Sequence, residues 1–364
     1  MIHFGDALEE ELPVSQALIM TELDPRIESI EALSLLIQHT SRPGTVYPYF
    51  SEQFPYIARI GELYAEDKIR FLSGGIFMTS PLRMCNRAAR FMMKKVEYGL
   101  SCGVGTMPIS GASAPVTAAG NIIVGACEIL GGWAALKSIK PDAVLRGSVC
   151  SGVLDMRTGK PSFSAPEAML QDIGVCELFR RLYGGHVTVA GGSDYTDAKL
   201  PGLQAAYEKT FKAMAIAAFT GTHVRMGQGL LDSGKLFSPL QLLMDQDLGE
   251  GLWKFSQGIK VNDETIGQNV IREVETGRKA TYLNRPHTLR NFRRALWSSN
   301  LLDKTAWESN GKEIARDREM LEKANEEFKN ILSQYTPPAV EKSVVRAIDK
   351  VVTEAKKELV LRYA

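Results

Sequence analysis

The sequence predicts an α/β fold, a TIM (β/α)8 barrel, on three observations. Short apolar runs alternate with longer segments of helical spacing along the 364 residues, which implies βαβ units and parallel strands. Nearly every apolar run ends in a Gly- or Ser/Thr-rich polar segment, as expected where strand ends converge on one barrel face. The length suits one barrel with insertions. A doubly wound open sheet is the alternative, and it would concentrate such loops at a switch point.

Taken in order, the candidate strands are Ala17–Leu23, Thr45–Tyr49, Ile69–Ile76, Gly105–Ile109, Ala143–Arg146, Val187–Ala190 and Thr222–Met226. Ala280–Leu283 is the candidate eighth. Helical spacing falls at Ile30–His39, Pro81–Tyr98, Thr117–Lys137, Pro166–Tyr183 and Pro201–Phe219. The polar segments after the runs include Ser73-Gly74-Gly75, Ser110-Gly111-Ala112-Ser113, Gly147-Ser148, Gly191-Gly192-Ser193-Asp194 and Gly227-Gln228-Gly229. The uncharged stretch from Cys102 to Cys127 imitates a membrane span. Pro108, Pro115 and its glycines make it a buried strand, loop and helix instead. Beyond Gly311 charge rises, and Ile314, Leu321, Ala324, Phe328, Ile331 and Leu332 form one amphipathic stripe; Pro337-Pro338 breaks it, and a second helix follows. The expected division is a barrel over 1–310 and a C-terminal helical extension over 311–364, packed on the barrel or offered to a partner.

Composition excludes several functions. The 43 Lys+Arg and 42 Asp+Glu nearly cancel, and 45% of residues are hydrophobic, so neither a disordered chain nor a nucleic-acid or membrane-surface binder is expected. Five widely spaced cysteines, without a C-x-x-C pair, fit a reduced cytoplasmic protein. Asp6, Glu9, Glu10 and Glu11 stand where a signal peptide needs basic and apolar residues. Glycine is in excess, 32 of 364 against an average near 7%.

No phosphate-cradling glycine loop, H-E-x-x-H, G-x-S-x-G or Cys/His cluster occurs, so no metal site is expected. The remaining candidates lie at strand ends. Asp194, Tyr195, Asp197 and Lys199 directly follow one run; a turn with an Asp helix cap is the other reading. His223 and Arg225 share one face of the next strand, where a core histidine is the alternative. His287 follows the candidate eighth strand, or caps a turn. Tyr47, Tyr49, Phe50 and Phe77 gather at strand ends and would hold a quaternary ammonium by cation–π attraction, unless they are core. Gly191, Gly192 and Gly227 leave the backbone open to a large ligand.

Several segments together resemble the trimethylamine methyltransferase family of corrinoid-dependent enzymes. They are Met107-Pro108-Ile109-Ser110-Gly111-Ala112, Ala114-Pro115-Val116-Thr117-Ala118-Ala119-Gly120, Ala126-Cys127-Glu128-Ile129-Leu130, Gly191-Gly192-Ser193 with Thr196-Asp197-Ala198-Lys199, Gly229-Leu230-Leu231-Asp232, and Pro286-His287-Thr288-Leu289 with Phe292-Arg293. The resemblance implies a TIM barrel that moves a methyl group from an amine to the Co(I) corrinoid of a separate protein. Family members commonly carry further residues ahead of the position matching Asp6, so a first barrel element is expected to be missing. The trimethylamine enzymes contain pyrrolysine, expected near Gly191–Lys199, and every residue there is standard. Members without it that have an assigned function act on quaternary amines such as glycine betaine. For such a reaction the strand-end candidates are Asp194 and His223 as catalytic, Tyr47, Tyr49, Phe77, Tyr195, Lys199, Arg225 and His287 around the substrate, and Gly191, Gly192 and Gly227 toward the corrinoid; a homo-oligomer is expected, and the resemblance implies no tightly bound cofactor of its own.

Overall fold

A computed structural model describes the chain apart from residues 9–12, 17, 186, 221–225, 227, 276–280, 303, 305–315 and 361–364. The elements run α1 (Ile2–Leu8), α2 (Glu28–His39), α3 (Phe54–Ala65), β1 (Ile76–Phe77), α4 (Asn86–Glu97), β2 (Gly103–Thr106), β3 (Ile109–Ser110), α5 (Ala118–Ile139), β4 (Arg146–Val149), β5 (Gly152–Asp155), β6 (Lys160–Ser162), α6 (Pro166–Tyr183) and β7 (Val187–Val189). They continue with α7 (Leu203–Thr220), β8 (Leu230–Leu231), β9 (Leu236–Phe237), α8 (Pro239–Ser256), α9 (Asp263–Ile266), α10 (Gln268–Val274), α11 (Pro286–Ala295), α12 (Arg316–Gln334) and α13 (Lys342–Ala355).

Four strands form a parallel sheet in the order β1-β2-β4-β7. Ile76 pairs with Val104, Gly103 with Arg146, and Gly147 with Val187. Single parallel bridges, Val14 to Pro43 and Val46 to Leu72, precede it. The strands of this sheet follow chain order, so the reversal that a doubly wound sheet needs is absent among its described strands.

The two faces of the sheet differ. Val104 and Gly147 pair in one row and meet the helices: a Cβ on Gly132 of α5 would lie 2.5 Å from a Val104 methyl, and one on Gly147 would lie 3.1 Å from Ile129. Glycine at 132 therefore sets how closely α5 lies on β2. Glu128 of α5 is buried, accepting hydrogen bonds from the Thr106 hydroxyl, Ser80 Oγ (2.9 Å) and the Leu82 amide (2.8 Å). Phe77, Gly105, Ser148 and Thr188 form the opposite row. Thr188 is exposed there, and Phe77 and Ser148 are half-buried.

The main core joins α2 to α6, the sheet and α13, with Ile30, Leu33, Ile37, Phe54, Ile57 and Phe71 fully enclosed. A second cluster holds α1, α8 and α12 together, where the Phe4 and Phe328 rings meet edge to face at 4.9 Å. α13 packs on α2 and α3. Tyr335 donates to Asp6 at 2.6 Å and ties the end of α12 to α1. Among the described residues α5 alone is long and apolar enough to cross a membrane, and it packs on β2 and α6 as the expected strand, loop and helix.

Several sequence expectations need correction. Residues 18–27 form turns rather than the strand Ala17–Leu23, because Glu28 accepts the Gln16 side-chain amide and the Met20 amide (2.8 Å) and folds that segment over the start of α2. In Ile69–Ile76 residues 69–71 form a turn, Leu72 a single bridge to Val46 and 73–75 irregular backbone, with the strand only at its end. Pro108 splits Gly105–Ile109 into β2 and β3. α4 starts at Asn86, after a turn in which Thr79 and Arg83 exchange backbone hydrogen bonds of 2.7 and 3.2 Å. Thr281–Leu283 is a turn leading into α11, with Leu283 exposed to water. Residues 222–225 and Ala280 lie outside the described residues.

Candidate active site

Parallel strands place their C-terminal ends on one edge, and there the chain buries charge. Two helices carry it at positions where an apolar stripe is due. α6 buries Ala168, Asp172, Val175, Cys176 and Phe179, and α7 buries Ala205, Lys209, Lys212, Ala213 and Ile216. Both series step i, i+4, i+7, i+8, i+11, the spacing of a core-facing helix. α8 adds Asp245.

Lys209 Nζ meets Asp245 Oδ2 at 2.5 Å, both side chains wholly buried. Asp245 also accepts the Gly229 amide at 3.0 Å and Gln241 Nε2 at 2.7 Å. Lys212 lies 3.8 Å from Asp172 and donates to the Phe163 carbonyl at 2.9 Å. Asp172 accepts the Ser151 amide at 2.6 Å, just past β4.

The turn after β7 closes over this cluster. Gly191 and Gly192 take left-handed φ of 69° and 50°. A Cβ on Gly191 would lie 2.7 Å from the Tyr195 ring, and one on Gly234, whose φ is 86°, would lie 2.8 Å from it. Tyr195 is thus clamped between two backbones, with Phe163 at 5.6 Å. Glu208 of α7 pins the turn by accepting Thr196 Oγ1 (2.6 Å) and the Asp197 amide (2.7 Å).

Asp194 is pushed up to about 7, by burial first; Lys209 and Lys212 oppose the rise and Asp245 adds to it. Burial also lifts Asp172 to about 6 against Lys212, and raises Asp245 against Lys209. Cys150 and Tyr195 are each pushed up to about 12 by burial, so both keep their protons at neutral pH.

Of the residues singled out in the sequence, Asp194 and Tyr195 come together with this cluster. Lys199 lies at the surface, 2.6 Å from Asp232. His287 opens α11, its Nε2 3.0 Å from the Glu264 carbonyl. Tyr47, Tyr49 and Phe77 do come together, but with Arg87 they enclose only about 10 Å³, room for about one water. The Arg87 guanidinium sits 4.5 Å above the Tyr49 ring, where an ammonium would bind. Phe77 covers Gly105 on the open sheet face. His223, Arg225 and Gly227 lie outside the described residues. Sequence reasoning missed Asp172, Lys209, Lys212, Asp245 and Cys150. The detectable signal was a charged residue at a stripe position.

A family model for trimethylamine methyltransferase matches residues 57–360. Trimethylamine methyltransferase of Desulfitobacterium hafniense is 27% identical over 361 residues, covering 98% of this chain and 71% of the relative. Trimethylamine methyltransferase MttB2 of Methanosarcina mazei is 28% identical over 76% of this chain and 54% of its own length. Glycine betaine methyltransferase of Desulfitobacterium hafniense is 27% identical over 77% and 57%. The chain thus spans little more than half the length of the latter two. The family model covers well over half of the chain: the chain belongs to the trimethylamine methyltransferase family.

Proposed function

We propose that the chain moves a methyl group from a quaternary amine to the Co(I) corrinoid of a separate protein, with its site at the strand ends of a barrel spanning 1–310. Family membership supports methyl transfer, and relatives bear the names trimethylamine and glycine betaine methyltransferase. The sequential parallel strand order supports the barrel.

A charge count carries the choice of a cationic substrate. Lys209 and Lys212 face Asp172, Asp194 and Asp245, two positive groups against three acidic ones. With Asp194 ionised the cluster holds one net negative charge, placed on the half-buried member. A quaternary ammonium supplies the missing cation.

Attack on a methyl carbon of such a substrate breaks the N–CH3 bond, and the bonding pair stays on nitrogen as a neutral tertiary amine leaves. No proton moves, so the site must supply position and field. The corrinoid, delivered by its protein, supplies the Co(I) nucleophile. Gly191 and Gly192 lie toward that approach, with the Tyr195 ring packed against the Gly191 backbone. Asp194 holds the ammonium, and the clamped Tyr195 stays an uncharged phenol beside it. Burial keeps Cys150 a thiol, so it does not compete for the methyl group. Residues 311–364 form the helical extension, and five free cysteines fit a reducing cytoplasm.

Incubation with glycine betaine or tetramethylammonium and a Co(I) corrinoid protein should consume the Co(I) absorbance. No consumption with any quaternary amine would sink the proposal.

A further inference from the structure

A cavity of about 620 Å³ opens between α1, residues 13–16, Leu18, Met20, α2, Met226, Gln228, Leu230 and α8. Its wall includes Met20, Leu35, Leu36 and Met226 with Gln16 and Gln246, and it reaches Asp245, whose side chain is wholly buried. Asp245 is also the Lys209 partner, so the cavity runs up to the buried charge cluster. A second contact links the two: Ser193, next to Asp194, donates to Met226 Sδ at 3.6 Å.

We infer that the substrate is an aliphatic quaternary amine, a trimethylammonium head on an apolar chain. This rests on the proposed chemistry for its head, and on the cavity for its tail. At 620 Å³ the cavity falls within the range of about 300–1,000 Å³ typical of small-molecule pockets. Glycine betaine, with about eight heavy atoms, would leave most of it unfilled, and among the described residues no basic side chain lines it to meet the carboxylate. An alkyl tail removes that apolar lining from water, and the head lies toward Asp194, on the side where Met226 of the wall meets Ser193.

Calorimetry of the full chain with tetramethylammonium and with butyl-, hexyl- and octyltrimethylammonium tests this. Affinity should rise about threefold for each added methylene, somewhat below the full burial value. The neutral alcohol of the octyl chain should bind at least about tenfold more weakly, because it lacks the charge. Leu35→Arg should abolish the chain-length dependence; Leu35 is already 38% exposed, so the variant should fold. Leu18→Arg, from another segment of the lining, is the second variant. An affinity independent of chain length, or one that both variants leave intact, overturns the inference. Chain-length dependence without methyl transfer would leave the cavity assignment standing and sink the proposed activity; methyl transfer without chain-length dependence would do the reverse.

Discussion

Replacing Asp194 with Asn keeps its shape and removes its charge, and the effect should appear in the pH dependence of stability. The fold raises this carboxyl from 3.8 to about 7, chiefly by burial. The folded state therefore binds a proton that the unfolded state has released. Stability from this group is complete below about pH 4 and is lost as pH rises through about 7. The shift of about three units corresponds to about 4 kcal/mol; partial exposure of Asp194 halves that to about 2 kcal/mol. Between pH 5 and pH 8 the parent chain should lose about 1 to 1.5 kcal/mol that Asp194→Asn retains. Urea unfolding at pH 5, 6, 7 and 8 measures both curves. Parallel curves would refute the reasoning, because Asp172, also raised, would then account for the whole dependence. The same charge predicts that kcat/KM for a quaternary amine rises through about pH 7 in the parent and stays low and flat in the variant.

Other outcomes follow from the geometry. Lys209→Met leaves Asp245 buried without its partner and should cost about 3–5 kcal/mol; Lys209→Met with Asp245→Leu should recover most of it, and urea unfolding of both contradicts the pairing if the double variant is no better. Gly132→Val drives side chain into Val104 and should cost about 1–3 kcal/mol, whereas Gly131→Ala, which meets nothing within 4 Å, should stabilise α5 by about 0.5–1 kcal/mol. Thermal melts separate the two. Gly234→Ala should cost about 1–2 kcal/mol through its left-handed φ and displace the Tyr195 ring, raising KM while circular dichroism shows an intact fold.

The helices were the legible part of this fold. Pro166 and Gly184 bound α6 as a helix start and a left-handed stop, and Pro166–Tyr183 is read from sequence without error. α3 and α8 escaped because each breaks the expected pattern: α3 follows a cluster of aromatic residues and contains Pro55, and α8 places Asp245 and Asp247 on its buried side. Strands were harder. β1 has two residues, and its place is fixed by pairing with Val104 and Gly105, a partner some thirty residues on that no local window sees. Ala17–Leu23 opens as an apolar run like a strand, yet one carboxylate, Glu28, accepts the Met20 amide and residues 18–23 do not form one. At the site, Asp194 and Tyr195 were visible because strand-end loops gather on one edge. The lysines and aspartates beneath them were hidden by the habit of placing helical charge in solvent. That habit fails where α6, α7 and α8 face one another and each charge has a partner.

The proposed activity is tested most directly by mixing the chain with a Co(I) corrinoid protein and following the Co(I) absorbance as quaternary amines are added. The account predicts loss of that absorbance, dependent on the chain, on the amine and on ionised Asp194, with release of one tertiary amine for each Co(I) consumed. Unchanged absorbance across tetramethylammonium, glycine betaine and the alkyltrimethylammonium series would contradict it.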